Sequence, residues 1–264
     1  MTRLRVCTWN LKFASEDGPH PWSQRRAAML TVLNAIDADL IATQEGLDQQ
    51  LRDLDAGLPG YQRVGTGRGG DSEDEHCAIF ARAPISITDS RTFWLSPTPD
   101  QAGPPAWGSS CPRICTQLNA EVMGQAGTTP LALWNTHLDN RSAEAREHGA
   151  QLIAADIARY RANTTTGAVL FTGDCNCRTE ASEAPYTILT EQLSDLALEA
   201  DDTAHLDTNS WHGYQPIRHR GSRIDWILGS GLGAVHHYAH VLSTPDGVLP
   251  SDHWPVVAEI SLPD

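Results

Sequence analysis

Carboxylate, amide and imidazole side chains recur at or beside the ends of short apolar segments along this chain. A strand end projects its side chain into the groove beside a sheet while the backbone stays rigid, and ligand sites form in such grooves. We therefore treat these residues as candidate site residues. They are Asn10, Glu45, His137, Asp174, Asn176, Asp225, Asp252 and His253.

These residue types suit metal-assisted attack of water on phosphorus. Carboxylates suit Mg²⁺ or Mn²⁺, which keep several waters and take one or two protein carboxylates besides substrate oxygens. A histidine can neutralise charge in the transition state or transfer a proton, and an aspartate can orient it. Asparagines can donate to a phosphoryl oxygen. The pattern indicates a site for one or two divalent ions.

The apolar segments that must position these side chains read as strands. Alternating or continuous apolar runs predict them. The predicted strands are 3–10, 40–43, 77–81, 85–93, 114–122, 131–136, 168–172, 223–228, 235–242 and 254–260.

Helices are predicted between some of these strands. Ser23 is predicted to cap a helix over 24–38, and Ser142 a longer one over 143–161. Shorter helices are predicted near 48–54 and 185–193. The order predicts an α/β fold, with two mixed sheets packed face to face and helices outside. With no linker of disordered composition, residues 1–264 are predicted to form one domain.

Composition and charge limit the classes of ligand and the cellular location that are expected for this chain. The 264 residues carry a formal net charge of −14, which disfavours a long polyanion as ligand. No apolar stretch is long enough to span a bilayer and no leader is evident, which predicts a cytoplasmic protein. The chain is also expected to be a monomer. The six cysteines are read as free thiols, with structural zinc at Cys111 and Cys115 as the minor alternative.

Six short motifs follow one another in a familiar order. They are Thr8-Trp9-Asn10-Leu11, Gln44-Glu45, Asn135-Thr136-His137-Leu138-Asp139, Gly173-Asp174-Cys175-Asn176, Arg223-Ile224-Asp225-Trp226 and Ser251-Asp252-His253-Trp254-Pro255-Val256. Together they resemble the signatures of the endonuclease/exonuclease/phosphatase superfamily, to which deoxyribonuclease I belongs. Each motif alone is weak, but six in order cover residues 5 to 257. The resemblance implies a four-layer α/β/β/α sandwich and a metal-dependent phosphoesterase.

The resemblance also implies roles for the motif residues. Glu45 matches the metal-binding glutamate, with Asn10 beside it at the metal or the phosphate, and Asp252 as a further metal ligand. Asp174 and Asn176 match the pair that positions the attacking water and the phosphate. The remaining matches are two histidines, either of which transfers the proton, and the aspartate that orients the second. They are His137, His253 and Asp225.

Other residues are candidates for substrate binding. Arg113 suits bidentate binding of a second phosphate or a carboxylate, Trp107 and Trp211 suit stacking on a base or a sugar, and His212 suits contact with the phosphate. Each also has a packing interpretation. The resemblance further suggests that Glu75 pairs with His137. Glu73 and Asp74 are alternatives, and a solvated loop is an ordinary reading of this charged run.

The sequence therefore predicts hydrolysis of a phosphodiester or phosphomonoester by in-line attack of water. A nucleotide, a sugar phosphate or a nucleic-acid end is the expected substrate, and no protein partner is inferable. One alternative is a nuclease for long DNA or RNA, and another is a catalytically silent binding protein with the same fold. Cleavage of a bond other than a phosphoester is a third, for which the sequence gives no positive sign.

Overall fold

The computed structural model describes residues 1–70, 72, 74–125, 127–164, 167–180 and 182–263. The strands are numbered along the chain. They are β1 Arg3–Asn10, β2 Leu40–Gln44, β3 Gln62–Val64, β4 Ile79–Ala81, β5 Ile85–Trp94, β6 Ile114–Gly124, β7 Gly127–His137, β8 Ala168–Asp174, β9 Ser194–Asp195, β10 Asp202–Ala204, β11 Asp225–Ser230, β12 Val235–His240 and β13 Val256–Ser261.

The helices are likewise numbered along the chain. They are α1 Trp22–Ile36, α2 Asp48–Gly57, α3 Ala143–Asn163, α4 Ala184–Thr190 and α5 Leu196–Glu199, with a 3₁₀ turn at Pro245–Gly247.

The strands form two mixed sheets. One sheet has the order β10-β12-β13-β1-β2-β4-β3, and the other has the order β5-β6-β7-β8-β11-β9. In the first sheet β1 pairs parallel to β2 and antiparallel to β13, and in the second β7 pairs parallel to β8. The predicted arrangement of two mixed sheets is confirmed.

The sheets pack face to face, as the alternation along β1 illustrates. Leu4 and Val6 join the apolar core between the two sheets. Cys7 and Trp9 point to the opposite face and join a core shared with α1 and α2. A third core joins the second sheet to α3 and α4. Because successive strand residues face opposite sides, one strand contributes to two layers, and the whole is the predicted α/β/β/α sandwich.

The first helix differs from its prediction at both ends. It begins at Trp22 rather than after Ser23, and the side chain of its N-cap residue, Pro21, makes no hydrogen bond. The Ser23 backbone N–H instead donates to Glu16 Oε1 at 3.1 Å, and the Ser23 hydroxyl donates to Glu16 Oε2 at 2.6 Å. The helix ends before Asp37, which is left-handed with φ 51°. A carboxylate from the preceding loop therefore does the capping.

Ser142 caps the long helix as predicted, since its Oγ accepts from Ala145 N at 3.1 Å. The segments predicted to begin at 77, 223 and 254 enter regular pairing two residues later, at Ile79, Asp225 and Val256. The short strands β3, β9 and β10 were not predicted, because two or three residues are too few to show a period of two.

A buried arginine of α1 links this helix to the loop after β1. Arg25 is only 1% exposed, and its guanidinium donates to backbone carbonyls of the loop after β1 and to one carbonyl of the segment before β13. These acceptors are His20 O at 2.9 Å, Leu11 O at 2.8 Å, Pro250 O at 2.6 Å, Lys12 O at 2.8 Å and Phe13 O at 3.3 Å.

An Arg25→Met variant should lower the free energy of unfolding by about 3 kcal/mol, since it removes charge-assisted hydrogen bonds and leaves buried carbonyls unpaired. Urea unfolding measures this change. The control is Arg26→Met, whose exposed ion pair with Asp53 spans 3.4 Å, and which should change stability by less than about 0.5 kcal/mol. Equal effects of both substitutions would contradict the tethering role of Arg25.

All six cysteines are free thiols, and Cys111 alone among them is not buried. Cys115 lies in the second sheet, paired in register with Phe93 and Thr136. Within the described residues, no helix combines the length and the apolar character needed to cross a membrane.

Candidate active site

The strand registers bring the candidate residues to one end of the two sheets. In the second sheet, Asp174 at the end of β8 pairs with His137 on one side and with Asp225 on the other. In the first sheet, Asn10 at the end of β1 pairs with Gln44, directly before Glu45. Residues distant in sequence thereby share one edge of the sandwich.

A cavity of about 470 Å³ opens at this end of the sheets. Acidic groups, histidines and basic groups all contribute to its wall. The lining residues are Lys12, Phe13, Glu45, Arg68, Glu75, Ser110, Cys111, Arg113, His137, Asn140, Asp174, Asn176, Trp211, Ile224, Asp252 and His253.

Asn10 connects the two sheets through two residues that line this cavity. Its Nδ2 donates to Glu45 Oε1 at 3.0 Å and to Asp174 Oδ2 at 2.9 Å. Its Oδ1 accepts from Lys12 N at 2.9 Å, which fixes the orientation of the amide. The asparagine is fully buried, so it fixes the relative position of the two carboxylates.

His253 lies between two aspartates. Its Nδ1 is 2.9 Å from Asp225 Oδ2, and its Nε2 is 3.6 Å from Asp174 Oδ2. Burial lowers the pKa of His253, but the two carboxylates, Asp225 foremost, outweigh burial and raise it to about 10. Burial, followed by repulsion from Asp225, raises the pKa of Asp174 to about 7. At neutral pH the cluster holds an imidazolium beside an aspartate able to gain or lose a proton.

His137 has the opposite character. Its Nε2 lies 2.9 Å from Asn176 Nδ2, which also donates to Leu138 O at 3.0 Å. Burial, followed by repulsion from the Arg113 guanidinium, holds the pKa of His137 well below its ordinary value. A neutral imidazole whose Nε2 accepts from an amide is consistent with both observations.

Glu45 and Asp252 fit the prediction of a divalent-ion site. Glu45 Oε2 and Asp252 Oδ2 each lie 3.9 Å from the same atom, Lys12 Nζ, so the two carboxylates face one ammonium. Asp252 Oδ1 is buried and has no hydrogen-bond partner in the part of the chain that the structure describes. Burial raises the pKa of Glu45, but nearby positive charge and the hydrogen bonds from Phe13 N and Asn10 hold it below its ordinary value. Ionised, incompletely paired oxygens are the donors that Mg²⁺ and Mn²⁺ prefer.

A second cluster has ligand atoms close enough to hold a metal ion. In Asp174, Asp225 and His253, one such atom from each residue lies within 4.8 Å of the others. The His253 imidazolium already contacts Asp225 at 2.9 Å in this cluster, whereas the Lys12 ammonium stays 3.9 Å from both Glu45 and Asp252, and Asp252 Oδ1 has no hydrogen-bond partner within the described residues. We therefore favour Glu45 and Asp252 as the ligands, with Asn10 beside them.

The backbone is strained around the cavity. The φ values of Lys12, Glu45 and Asn176 are 55°, 60° and 50°. These values lie in the left-handed region, which is unfavourable for residues other than glycine. Gly173 has φ 158°, and a Cβ there would lie 2.4 Å from Thr136 O. Glycine is thus required directly before Asp174, where β7 and β8 approach closely. Such strain is typical of functional sites.

Arg113 also lines the cavity. Its Nε lies 3.3 Å from Asp139 Oδ2, and its Nη2 lies 3.5 Å from Asn140 Oδ1. Asp139 is itself fixed by the turn before α3, since its Oδ1 accepts from Ser142 N at 2.8 Å. The arginine is held at the cavity by a fully buried partner side chain.

The structure does not pair Glu75 with His137 as the resemblance suggested. Glu75 lines the cavity, but its Oε2 accepts from Arg68 Nη1 at 3.0 Å, and no hydrogen bond within the described residues joins it to His137. Asp74 also pairs with Arg68, at 2.9 Å. Glu73 lies outside the described residues.

Two predicted substrate-binding residues do not line the main cavity. Trp107 stacks on His148, with ring centroids 4.7 Å apart. His212 lines a smaller neighbouring pocket of about 80 Å³, and its Nδ1 accepts from Tyr214 N at 3.2 Å. Burial lowers the pKa of His212 to about 4, so it is neutral.

Several residues of the cavity wall were not predicted from the sequence, namely Lys12, Arg68, Ser110 and Asn140. Lys12 carried a usable signal, because it is the chain's only lysine and follows Asn10 by two positions. Trp211, which was predicted to stack on a substrate, does line the cavity. It is 51% exposed, lies between the cavity and the smaller pocket, and pairs with His253 as an isolated antiparallel bridge.

The sequence model of the Endonuclease/Exonuclease/phosphatase family matches residues 7–253 of this chain. Among curated proteins, none matches the sequence.

Solved structures show the same likeness. The chain is 28% identical to an endonuclease/exonuclease/phosphatase family protein from Bacteroides thetaiotaomicron, with 99% of this chain and 96% of that chain covered and a TM-score of 0.88. It is also 28% identical to a mannosyl-6-phosphatase from the same organism, with 98% and 100% covered and a TM-score of 0.87. The human nocturnin catalytic domain is 18% identical, with 99% and 95% covered and a TM-score of 0.70, and it shares the fold.

Proposed function

The chain belongs to the endonuclease/exonuclease/phosphatase family of phosphate-ester hydrolases, and from this premise we propose that it hydrolyses small phosphate esters with the help of a divalent metal ion. The bridge made by Asn10 is the observation that carries the proposal. It joins a metal-type carboxylate, Glu45, to a carboxylate of raised pKa, Asp174, through one buried amide. That arrangement puts an ion and a proton acceptor beside the same reacting group.

The ion is assigned to Glu45 and Asp252, with Asn10 oriented beside them. When bound there, Mg²⁺ or Mn²⁺ supplies Lewis-acid stabilisation of the negative charge that develops on a phosphoryl oxygen. The choice of ion and the number of ions, one or two, belong to this proposal.

We assign to Asp174 the role of general base, which accepts the proton of the attacking water. Its carboxylate is oriented by Asn10 and by Asn176 N, which donates to Oδ1 at 3.0 Å. A pKa raised to about 7 makes it a better base than an ordinary aspartate while it remains partly ionised at neutral pH.

His253 is assigned charge stabilisation and proton donation to the leaving oxygen. The imidazolium form is favoured by Asp225, which also fixes the ring through Nδ1. His137 is neutral and is assigned a hydrogen-bonding role with Asn176 at the phosphoryl group. The opposite pKa shifts of the two histidines support this division.

A small substrate fits the shape and charge of the site. A cavity of about 470 Å³ is in the range of small-molecule sites. Arg113 and Arg68 bring positive charge to its wall, although the whole chain has a net charge of −14. Similarity to a mannosyl-6-phosphatase makes sugar phosphates the first class to test.

A substrate panel tests the proposal. Phosphate release from hexose 6-phosphates and mononucleotides would be compared with cutting of plasmid DNA and of single-stranded RNA, all with Mg²⁺. We expect kcat/KM to be highest for a small ester. Preferential cutting of long nucleic acid, with a steep salt dependence, would instead favour the nuclease alternative.

An Asp225→Asn variant should move both limbs of the pH–rate profile to lower pH. Activity requires ionised Asp174, so it rises through a pKa of about 7 in the wild type, and protonated His253, so it falls through about 10. Removing the Asp225 charge lowers both pKa values. The measurement is kcat/KM against pH at saturating Mg²⁺.

The matched control is Asp207→Asn, which removes the partner of an exposed histidine, His219, at 2.7 Å. That variant should keep the wild-type profile. An alkaline limb that stays in place in Asp225→Asn would contradict the role of His253 as the acid.

A further inference from the structure

Lys12 is unusual both in its position and in its residue type. It is the only lysine in a chain with 19 lysine and arginine residues. Its Nζ lies 3.9 Å from Glu45 Oε2 and 3.9 Å from Asp252 Oδ2. These carboxylates are the two to which the divalent ion is assigned, so the ammonium lies where their negative charge converges.

The backbone of Lys12 is fixed, whereas its side chain is only lightly held. The residue is left-handed at φ 55°, and its carbonyl accepts from Arg25 Nη2 at 2.8 Å and from Gln50 Nε2 at 3.0 Å. Within the described residues the ammonium makes no hydrogen bond; its contacts are the two ion pairs at 3.9 Å and the Phe13 ring, whose centroid is 4.6 Å from Nζ, and the side chain is 34% exposed. Its flexible stem can therefore swing without moving the chain.

The chemistry of the two cations makes them competitors. Mg²⁺ binds carboxylate oxygens at about 2.0–2.1 Å and brings two positive charges. An ammonium left facing the same oxygens would then be repelled across a few ångströms in a partly buried cavity. An arginine in this place would offer a broad, planar group, whereas lysine offers a compact charge similar to an ion.

We propose that Lys12 is an internal counter-ion that neutralises the metal-binding carboxylates of the metal-free protein and is displaced when the divalent ion binds. This inference rests on the proposed metal-dependent function. It explains why one ammonium faces both Glu45 and Asp252 when no ion is bound. It also implies that part of the metal's binding energy is used to displace an existing partner, so the wild type binds the ion more weakly than a chain without the ammonium.

Calorimetric titration of EDTA-stripped protein with Mn²⁺ tests the competition. Lys12→Met should bind Mn²⁺ about tenfold more tightly than the wild type, and Lys12→Arg should not. Arg113→Met is the control for loss of any positive charge in the cavity, and its affinity should rise less than about threefold, since its partner is Asp139.

Amine acetylation separates displacement from a simple charge effect. Because the chain has one lysine, peptide mass spectrometry can follow its modification alone, with an added lysine peptide as internal standard. Mg²⁺ should accelerate acetylation of Lys12 severalfold at fixed pH, because only the neutral amine attacks the reagent, and a side chain released from the two carboxylates presents that amine more readily. An unchanged or slower rate, despite Mn²⁺ and Mg²⁺ binding, would overturn the inference and leave the proposed function intact. No metal binding by wild type or variant would overturn both.

Discussion

An Asp174→Asn variant is expected to retain less than about one thousandth of the wild-type kcat toward a phosphate ester at saturating Mg²⁺. The amide keeps the size of the side chain and its place beside Asn10, but it cannot accept the proton of the attacking water. The loss should therefore appear in kcat, with KM little changed. Steady-state kinetics of phosphate release measure both.

Asp207→Asn serves again as the control, because its side chain is 67% exposed and lies outside the cavity. It should retain wild-type kcat. A metal titration of Asp174→Asn adds a second check, since the assigned ligands, Glu45 and Asp252, are intact. Full activity in Asp174→Asn would remove this residue from the mechanism.

Replacing Glu45 with glutamine should weaken Mg²⁺ binding by roughly 100-fold and lower turnover at low metal concentration correspondingly. The amide supplies at most one neutral oxygen where the carboxylate supplied a charge. Turnover should recover partly at high Mn²⁺, because the deficit is one of metal occupancy. Calorimetry and activity against metal concentration measure the two effects.

Glu199→Gln is the control for this variant, since Glu199 is exposed and remote from the cavity. It should leave both curves unchanged. Turnover by Glu45→Gln that is low at every metal concentration, together with wild-type affinity, would argue that Glu45 serves the substrate and not the ion.

The sequence predicted the frame of the site because its signals are local. Short apolar runs with polar residues at their ends identify strand ends, and Asn10, Glu45, Asp174 and His137 all lie at such ends in the structure. Their proximity depends on strand order, and the superfamily resemblance supplied the implied arrangement of two sheets. The roles of these residues remain predictions that kinetics must test.

The loops were less predictable, because their paths depend on contacts with distant segments. Trp107 was predicted to stack on a substrate, but it stacks on His148 of the long helix. His212 was predicted to contact the phosphate, but it lines the neighbouring pocket. Nothing in the local sequence of either residue distinguishes an orientation toward the cavity from one toward a helix or a neighbouring loop.

Protonation states were also beyond the sequence. Both histidines lie near Asp174, yet His253 also contacts Asp225, whereas His137 is repelled by the Arg113 guanidinium. The sign of each pKa shift comes from these neighbours, which are far away along the chain. This contrast is the structural basis for the proposal that His253, and not His137, donates a proton to the leaving oxygen.

The most direct test of the central claim is hydrolysis by EDTA-stripped protein of bis-p-nitrophenyl phosphate and p-nitrophenyl phosphate, with and without added Mg²⁺ or Mn²⁺. We predict negligible turnover without metal, restoration by either ion, and no restoration in Asp174→Asn. The ratio of diester to monoester turnover would indicate the natural bond type. Turnover that persists without metal, or no metal-dependent turnover of any phosphate ester tested, would contradict the proposed function.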